Sequence, residues 1–387
     1  MYIKKISIKE FRVLKDIEIN FQTDLNDDTQ NGNVINVIAG VNGCGKTSLL
    51  DAIFLTIHNP FHVNRTNEFN LIELSDDFGF ISNSNWKEFS TKIGKLNEKN
   101  INNFPPYNDP QIIYIPSQQA FSYTSVSQLE TKYSFARRIE TNKILGNAEF
   151  YIKEYVLKRE RESNISDPKE RTKNAVNAFN AHFLGANLLT KLVDLSKNQF
   201  NRPIFSNVTG KEVTIDQLSD GEKQLYGRVI ALMMLEPRNS IILIDEPEIA
   251  LHPAWQQEIM KIYGNIGQNN QFIVATHSPQ VIRSVSYKNR VLLYKNDDKI
   301  KYVPVNSPPS GIDVNSILCE IMGADPTLEN LIELHNQYRS FVEKHLESSN
   351  EAIEVKQKIL NMENDNSAFM HEMNFLIELR DIPNEIH

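Results

Sequence analysis

The sequence predicts an α/β fold: a mostly parallel central sheet with an N-terminal antiparallel β part, a helical insertion and C-terminal helices. Three observations predict it. Short apolar runs at residues 34–39, 112–115, 241–244, 272–275 and 291–294 have the length and composition of strands buried on both faces. Helix-like stretches separate several of them, the pattern of alternating α/β proteins. Ahead of them all, residues 2–21 alternate between apolar and polar, as an antiparallel strand pair does.

The elements follow in order. Ile3, Ile6 and Ile8, then Ile17, Ile19 and Phe21, form two alternating runs on either side of the polar bend FRVLKD, which predicts an opening hairpin. Residues 24–33 are a polar loop rich in Asn and Asp. The run 34–39, apolar except for Asn36, is the first buried strand, and a glycine-rich loop and a helix from Lys46 follow at once. Residues 97–108 read as Asn-rich loop and roughly 129–183 as helical, charge-rich sequence. From about Asp313, the positions Leu328, Leu331, Ile332, Leu334, Tyr338, Phe341 and Val342 recur at helical spacing. Four regions result: an N-terminal lobe carrying the glycine loop (1–120), a helical insertion (121–210), a second lobe (211–310) and a C-terminal helical region (311–387).

Composition narrows the function classes. A chain of 387 residues suits one large α/β domain with an insertion. The net charge of −8 gives no global basic field towards nucleic acid or anionic lipid, so any such partner must be met locally. Only two cysteines occur, Cys44 in the glycine loop and Cys319, which fits a reducing compartment better than a disulfide framework. The opening residues lack the apolar core of a signal peptide, and no stretch approaches the roughly 20 apolar residues of a membrane span. The expectation is a cytoplasmic protein without membrane contact.

The chemistry lies in four segments. Gly40-Val41-Asn42-Gly43-Cys44-Gly45-Lys46-Thr47 has the P-loop spacing, placed between a buried strand and a helix. Backbone N–H groups from Asn42, Gly43, Cys44, Gly45 and on to Ser48 can curl around phosphate. Lys46 brings charge to the outer phosphates and the Thr47 hydroxyl can bind Mg²⁺. The run 241–244 ends in Asp245 and Glu246, adjacent carboxylates suited to holding the Mg²⁺ shell and polarising the attacking water respectively. After the next strand, Thr276-His277-Ser278-Pro279 offers His277 as a contact for the γ-phosphate. The implied ligands are ATP and Mg²⁺.

Leu218-Ser219-Asp220-Gly221-Glu222-Lys223-Gln224, before the acidic strand, resembles the signature motif of ABC ATPases. Glycine loop, signature, acidic strand and histidine stand in that family's order. The resemblance implies a homodimer, or a higher oligomer, in which Ser219 and Gly221 of one copy cap ATP held by the glycine loop of the other. It also implies a glutamine linking Mg²⁺ to the insertion, for which Gln118 and its neighbour Gln119 are the candidates, with Gln118 slightly favoured. Ala250-Leu251-His252-Pro253 resembles the loop through which paired sites sense each other, although a helix starting at Pro253 explains it almost as well.

Within that superfamily the opening IKKISIKEFRVLKDIEINF, the form LSDGEKQ and the run IDEPEIALHPAWQQ resemble the SMC/RecF/OLD-like branch, and the layout is similar to ATPase subunits of bacterial anti-phage defence systems of the Septu PtuA kind. Transporter subunits typically carry LSGGQ closer to the glycine loop. The resemblance implies an ATPase that regulates a separate nuclease subunit or engages DNA or RNA. Asp297 and Asp298 read as a hairpin turn rather than a metal site. Arg137, Arg138, Lys158, Arg159 and Arg161 are interleaved with acids and read as a solvated helix face before a phosphate contact. The C-terminal helices fit core packing and partner binding equally. Two rival functions stay open: a nucleotide-gated scaffold with negligible turnover, and a RecF-like DNA repair ATPase.

Overall fold

In the computed structural model, residues 1–24, 31–58, 71–74, 80–81, 88, 91, 110–117, 136–138, 148–184, 188–197, 200–296, 299–304 and 329–380 are described. The chain opens with the expected hairpin, β1 (Ile3–Phe11) and β2 (Leu14–Asn20), in a register that pairs Ile6 with Ile19 and Ile8 with Ile17. Ile6, Ile8, Ile17 and Ile19 are buried while the residues between them are more open, so period two holds across this paired stretch, and the spacing lengthens to three at Ile3/Ile6, Ile8/Phe11 and Leu14/Ile17. Strand β3 (Val34–Ala39) then leads through the glycine loop into α1 (Lys46–His58). Strands β4 (Leu71–Leu74) and β5 (Phe80–Ile81) complete a four-stranded antiparallel sheet in the order β2-β1-β4-β5. Strands β6 (Ile112–Ile115) and β7 (Ala136–Arg138) precede helices α2 (Ala148–Glu162) and α3 (Pro168–Ala181).

A small antiparallel sheet follows, built from β8 (Thr190–Leu195), β9 (Pro203–Asn207) and β10 (Glu212–Val213). Then come α4 (Asp220–Leu235), β11 (Ile241–Asp245), α5 (Pro253–Gly264), β12 (Gln271–Ala275), the short α6 (Pro279–Arg283), β13 (Arg290–Asn296) and β14 (Lys299–Pro304). The central sheet has the order β14-β13-β3-β12-β11-β6-β7, parallel throughout except for β14. It is therefore the mostly parallel sheet that the sequence predicts, beside an N-terminal antiparallel one.

Both faces of the central sheet are covered. Ile242, Ile244, Ile113, Ile115, Phe272 and Val274 point into one core with α2, α3, α4 and α5. Ile241, Leu243, Ile112, Tyr114 and Ile273 point into a second core with α1 and the N-terminal sheet. That two-sided burial is why these strands read as unbroken apolar runs. Asn36, the polar interruption in β3, accepts from the Gln22 backbone N–H and donates to its carbonyl, both at 2.9 Å. Gln271 similarly bridges both backbone groups of Ile3, tying β1 to the start of β12.

Two expectations for the insertion need correction. Residues 136–138, inside the stretch read as helical, form β7, because the edge of β6 offers parallel pairing that short-range pattern cannot reveal. The region 121–210 also ends in the β8–β9 pair rather than in helix. The chain divides into two compact units, 1–322 and 323–387. Within the second, α7 (Glu329–Glu343), α8 (Asn350–Leu360) and α9 (Ala368–Arg380) bury Tyr338, Val342, Ile359, Met370 and Met373 in a core of their own. Among the described residues, no helix is long and apolar enough to cross a membrane.

Candidate functional site

The glycine loop joins the end of β3 to α1, as a parallel strand followed by a helix requires. Gly45 has φ +90°, and a Cβ there would lie 2.8 Å from Cδ2 of Leu14, the first residue of β2, and 3.0 Å from Cγ2 of Val13 in the turn between β1 and β2. Only glycine fits, so the opening hairpin is packed directly against the loop. Arg12 in the same turn donates to Asp51 of α1 at 2.6 Å, a second clamp between hairpin and loop helix that pattern reading missed. Asn42 and Gly43 are exposed, whereas Cys44 is buried in the core, where burial raises its thiol pKa. That thiol is packing, and any phosphate contact from Cys44 must come through its backbone, whose N–H lies 3.3 Å from the Val41 carbonyl.

Lys46 is buried, and its Nζ donates to the carbonyls of Gly40 at 2.8 Å and Val41 at 3.0 Å. The ammonium is thus held over the mouth of its own loop, on acceptors that phosphate oxygens can replace. Thr47 and Ser48 begin the free N-terminal turn of α1, whose unpaired N–H groups and positive dipole favour an anion.

Strand β11 brings Asp245 beside this turn, across 198 residues of sequence. The Thr47 hydroxyl lies 3.2 Å from Oδ1 and 3.0 Å from Oδ2 of Asp245. Burial pushes the Asp245 carboxyl up to about 6, opposed by hydrogen bonds from Thr47 and Ser117 and reinforced by the charge of Glu246. A hydroxyl and a carboxylate converging on one point are hard oxygen ligands, and one carboxylate beside phosphates is the usual protein share of a Mg²⁺ site. The donor set therefore fits Mg²⁺. Gln118 and Gln119 lie outside the described residues, while Ser117, immediately before them, already reaches Asp245.

Glu246 leaves the strand with φ +47°, its N–H still bonded to the Ala275 carbonyl at 2.8 Å. Its carboxylate Oε1 lies 3.3 Å from His277 Nδ1, and both side chains are partly open to solvent. Glu248, absent from the sequence-based list, is the buried partner that sets His277. Its Oε1 accepts from the Thr276 hydroxyl at 2.6 Å and from the His277 N–H at 3.0 Å. Nδ1 of His277 is 3.4 Å from that same oxygen but out of line for a hydrogen bond to either acid. The signal was present, as a third acid one proline beyond Asp245 and Glu246.

Ser219 and Gly221 stand apart from this cluster. Ser219 caps α4 in a reciprocal box with Glu222: its Oγ accepts from the Glu222 N–H at 3.3 Å and donates to the carboxylate at 2.8 Å. Glu222, itself buried, also accepts from Thr190 of β8 at 2.6 Å. Among the described residues, the hydrogen bonds of the Ser219 side chain go to Glu222 alone. His252 caps α5, its Nδ1 accepting from Ala254 at 3.3 Å, so the helix-start reading of 250–253 holds. Of Arg137, Arg138, Lys158, Arg159 and Arg161 in the insertion, three are locally engaged: Arg138 over Tyr114, Lys158 with Glu236 at 2.6 Å, and Arg159 over Tyr155. Asp297 and Asp298 lie outside the described residues, between β13 and β14, which pair as a hairpin.

The family model described as "AAA domain, putative AbiEii toxin, Type IV TA system" matches residues 35–283, more than half of the chain. A Retron Vc95 probable ATPase from Vibrio cholerae is 33% identical over 162 residues, covering 38% of this chain and 32% of that protein. A Septu protein PtuA from Bacillus mycoides is 24% identical, covering 87% of this chain and 47% of its own length. A second Septu protein PtuA, from Bacillus thuringiensis, is 24% identical over 91% of both chains. The chain therefore spans about a third and about half of the length of the first two relatives. The SMC head domain from Thermotoga maritima aligns over 79% of this chain and all of its own, at 16% identity and a TM-score of 0.43.

Proposed function

The chain belongs to this AAA-domain family of P-loop ATPases, and from that premise we propose that it hydrolyses MgATP between two copies of itself and thereby controls an effector, most simply a separate nuclease subunit, in defence against phage. The observation that carries the reading is the convergence of Lys46, Thr47, Asp245, Glu246 and His277 at the ends of three neighbouring parallel strands. Lys46 releases its two loop carbonyls to bind the outer phosphates. Thr47 and Asp245 would hold Mg²⁺, which when bound would neutralise phosphate charge during transfer. Glu246 orients the attacking water and accepts its proton, and His277, steadied by Glu248, donates to the γ-phosphate.

Ser219 and the start of α4 complete the site of the second copy. Their support is the exposed N-terminus of α4 and a hydroxyl whose bonds, among the described residues, go only to its own capping box. The names of the Septu and retron relatives support the defence setting, and through it the partnership with a nuclease.

The test is phosphate release from MgATP by the chain, alone and with proteins encoded beside it in its host, followed by nucleic-acid cleavage assays on the complex. Glu246→Gln is expected to bind ATP, turn over at least about 100-fold more slowly and accumulate as a dimer. Turnover unchanged in that variant would remove Glu246 from its role, and cleavage unaffected by Lys46→Ala would remove ATP from control of the effector.

A further inference from the structure

We propose that Arg228 is a positioning residue that holds the Glu246 peptide from α4 and so ties the aim of the catalytic carboxylate to the position of the helix that begins at Ser219. This rests on the reading of Glu246 given above and adds the part that sets its direction.

Arg228 lies near the middle of α4 and is 2% exposed. Its Nη1 donates to the backbone carbonyl of Glu246 at 3.0 Å, whereas Nε and Nη2 are buried without a hydrogen-bond partner among the described residues. A guanidinium taken out of water for one hydrogen bond is a costly way to fill space that an aliphatic side chain could fill. Its retained bond ends on a strained residue. Glu246 has φ +47°, a conformation a side chain adopts only where its surroundings impose it. Three backbone contacts impose it here: the N–H to Ala275, the carbonyl to the Ile249 N–H at 3.3 Å, and the carbonyl to Arg228. The first belongs to the sheet and the second to the turn itself. The Arg228 contact reaches another element.

That element is the signature helix. Its first turn is in close contact with the loop after Glu246, since a Cβ on Gly221 would lie 2.7 Å from the Ala250 carbonyl oxygen and 3.1 Å from Trp255. Ser219 and Arg228 are separated by about 13 Å of helix, which moves as one rod. A nucleotide of the second copy that engages Ser219 displaces this rod, and the displacement reaches the Glu246 carbonyl through Arg228. Among the described residues Glu248 Oε2 is buried without a partner, as are the two spare donors of Arg228, so both groups have capacity to change contacts as the helix moves. The consequence is that the state of one site sets the aim of the acid in the other.

The experiment compares Arg228→Met and Arg228→Lys with the unaltered full chain, measuring ATP affinity, steady-state turnover and hydrogen exchange at residues 246–251. Arg228→Met is expected to bind ATP within about threefold of the parent, to lose about 30-fold or more in kcat, and to exchange faster at Ile249. Arg228→Lys, which keeps a charged donor, recovers most of the loss. A kcat for Arg228→Met within about twofold of the parent overturns the proposal. So does a parallel loss of affinity and turnover that lysine does not repair, since that marks a packing residue. If the parent shows no turnover, the ATPase reading fails; unchanged exchange at Ile249 in Arg228→Met then also overturns the holding role of Arg228. Should the Met variant fail to fold, Arg228→Gln and Arg228→Lys carry the same comparison.

Discussion

Replacing Glu248 separates two roles of a buried carboxylate. Glu248→Ala removes the acceptor of two buried donors, the Thr276 hydroxyl and the His277 N–H. Each hydrogen bond to a charged group is worth about 1.5–3 kcal/mol, giving about 3–6 kcal/mol for the pair. Relief of burying a carboxylate whose Oε2 has no partner among the described residues offsets about 1–3 kcal/mol of that, so the expected net loss is about 2–3 kcal/mol. Glu248→Gln keeps an oxygen at Oε1 for both donors and places its amide on the partnerless side, so it should cost about 1 kcal/mol. Turnover should fall in both variants in proportion to the loosening of His277, with the larger fall in Glu248→Ala. Urea unfolding followed through Trp255, one of two tryptophans and packed beside Gly221, reports the stability. A Gln variant as unstable as the Ala variant, or an Ala variant within about 0.5 kcal/mol of the parent, would refute the reasoning, because the acceptor at Oε1 would then carry no weight.

Lys46→Ala should leave the fold intact and reduce ATP binding and turnover by at least about 100-fold, measured by nucleotide fluorescence and phosphate release. Gly221→Ala places a methyl 2.7 Å from the Ala250 carbonyl oxygen, so despite the better helix propensity of alanine it should destabilise the chain, by about 1–3 kcal/mol in the same urea assay.

Most of the site was legible in the sequence because its parts obey local rules. Lys46 and Thr47 are fixed by a strand, a glycine loop and a helix in succession, and Asp245, Glu246 and His277 by the ends of apolar runs. Arg228 was not legible, and Glu248 stood in view as a third acid without a readable role, since both roles depend on the turn after β11 and on α4 crossing behind it, contacts that no periodicity encodes. Likewise the hairpin β1–β2 was evident from alternation, but not that Leu14 at the start of β2 and Arg12 in the turn would seat against Gly45 and Asp51. Strand β7 was missed for the opposite reason: three residues in charged sequence carry no strand signal, and their partner β6 supplies it.

The composite site is the central claim, and mixing two inactive variants tests it most directly. Lys46→Ala spoils the glycine loop, and Ser219→Arg blocks the cap that Ser219 would place over the nucleotide of the other copy. Each alone should be inactive. A heterodimer of the two retains one intact site, built from the glycine loop of the Ser219→Arg copy and the Ser219 of the Lys46→Ala copy, so statistical pairing in an equal mixture sets a ceiling of about a quarter of the parental ATPase rate, and coupling through Arg228 to the spoiled site lowers the recovery below it. Recovery above the rate of either variant and no higher than that ceiling is the predicted result; full activity of Ser219→Arg alone, or no recovery in a mixture shown to contain heterodimers, would contradict it.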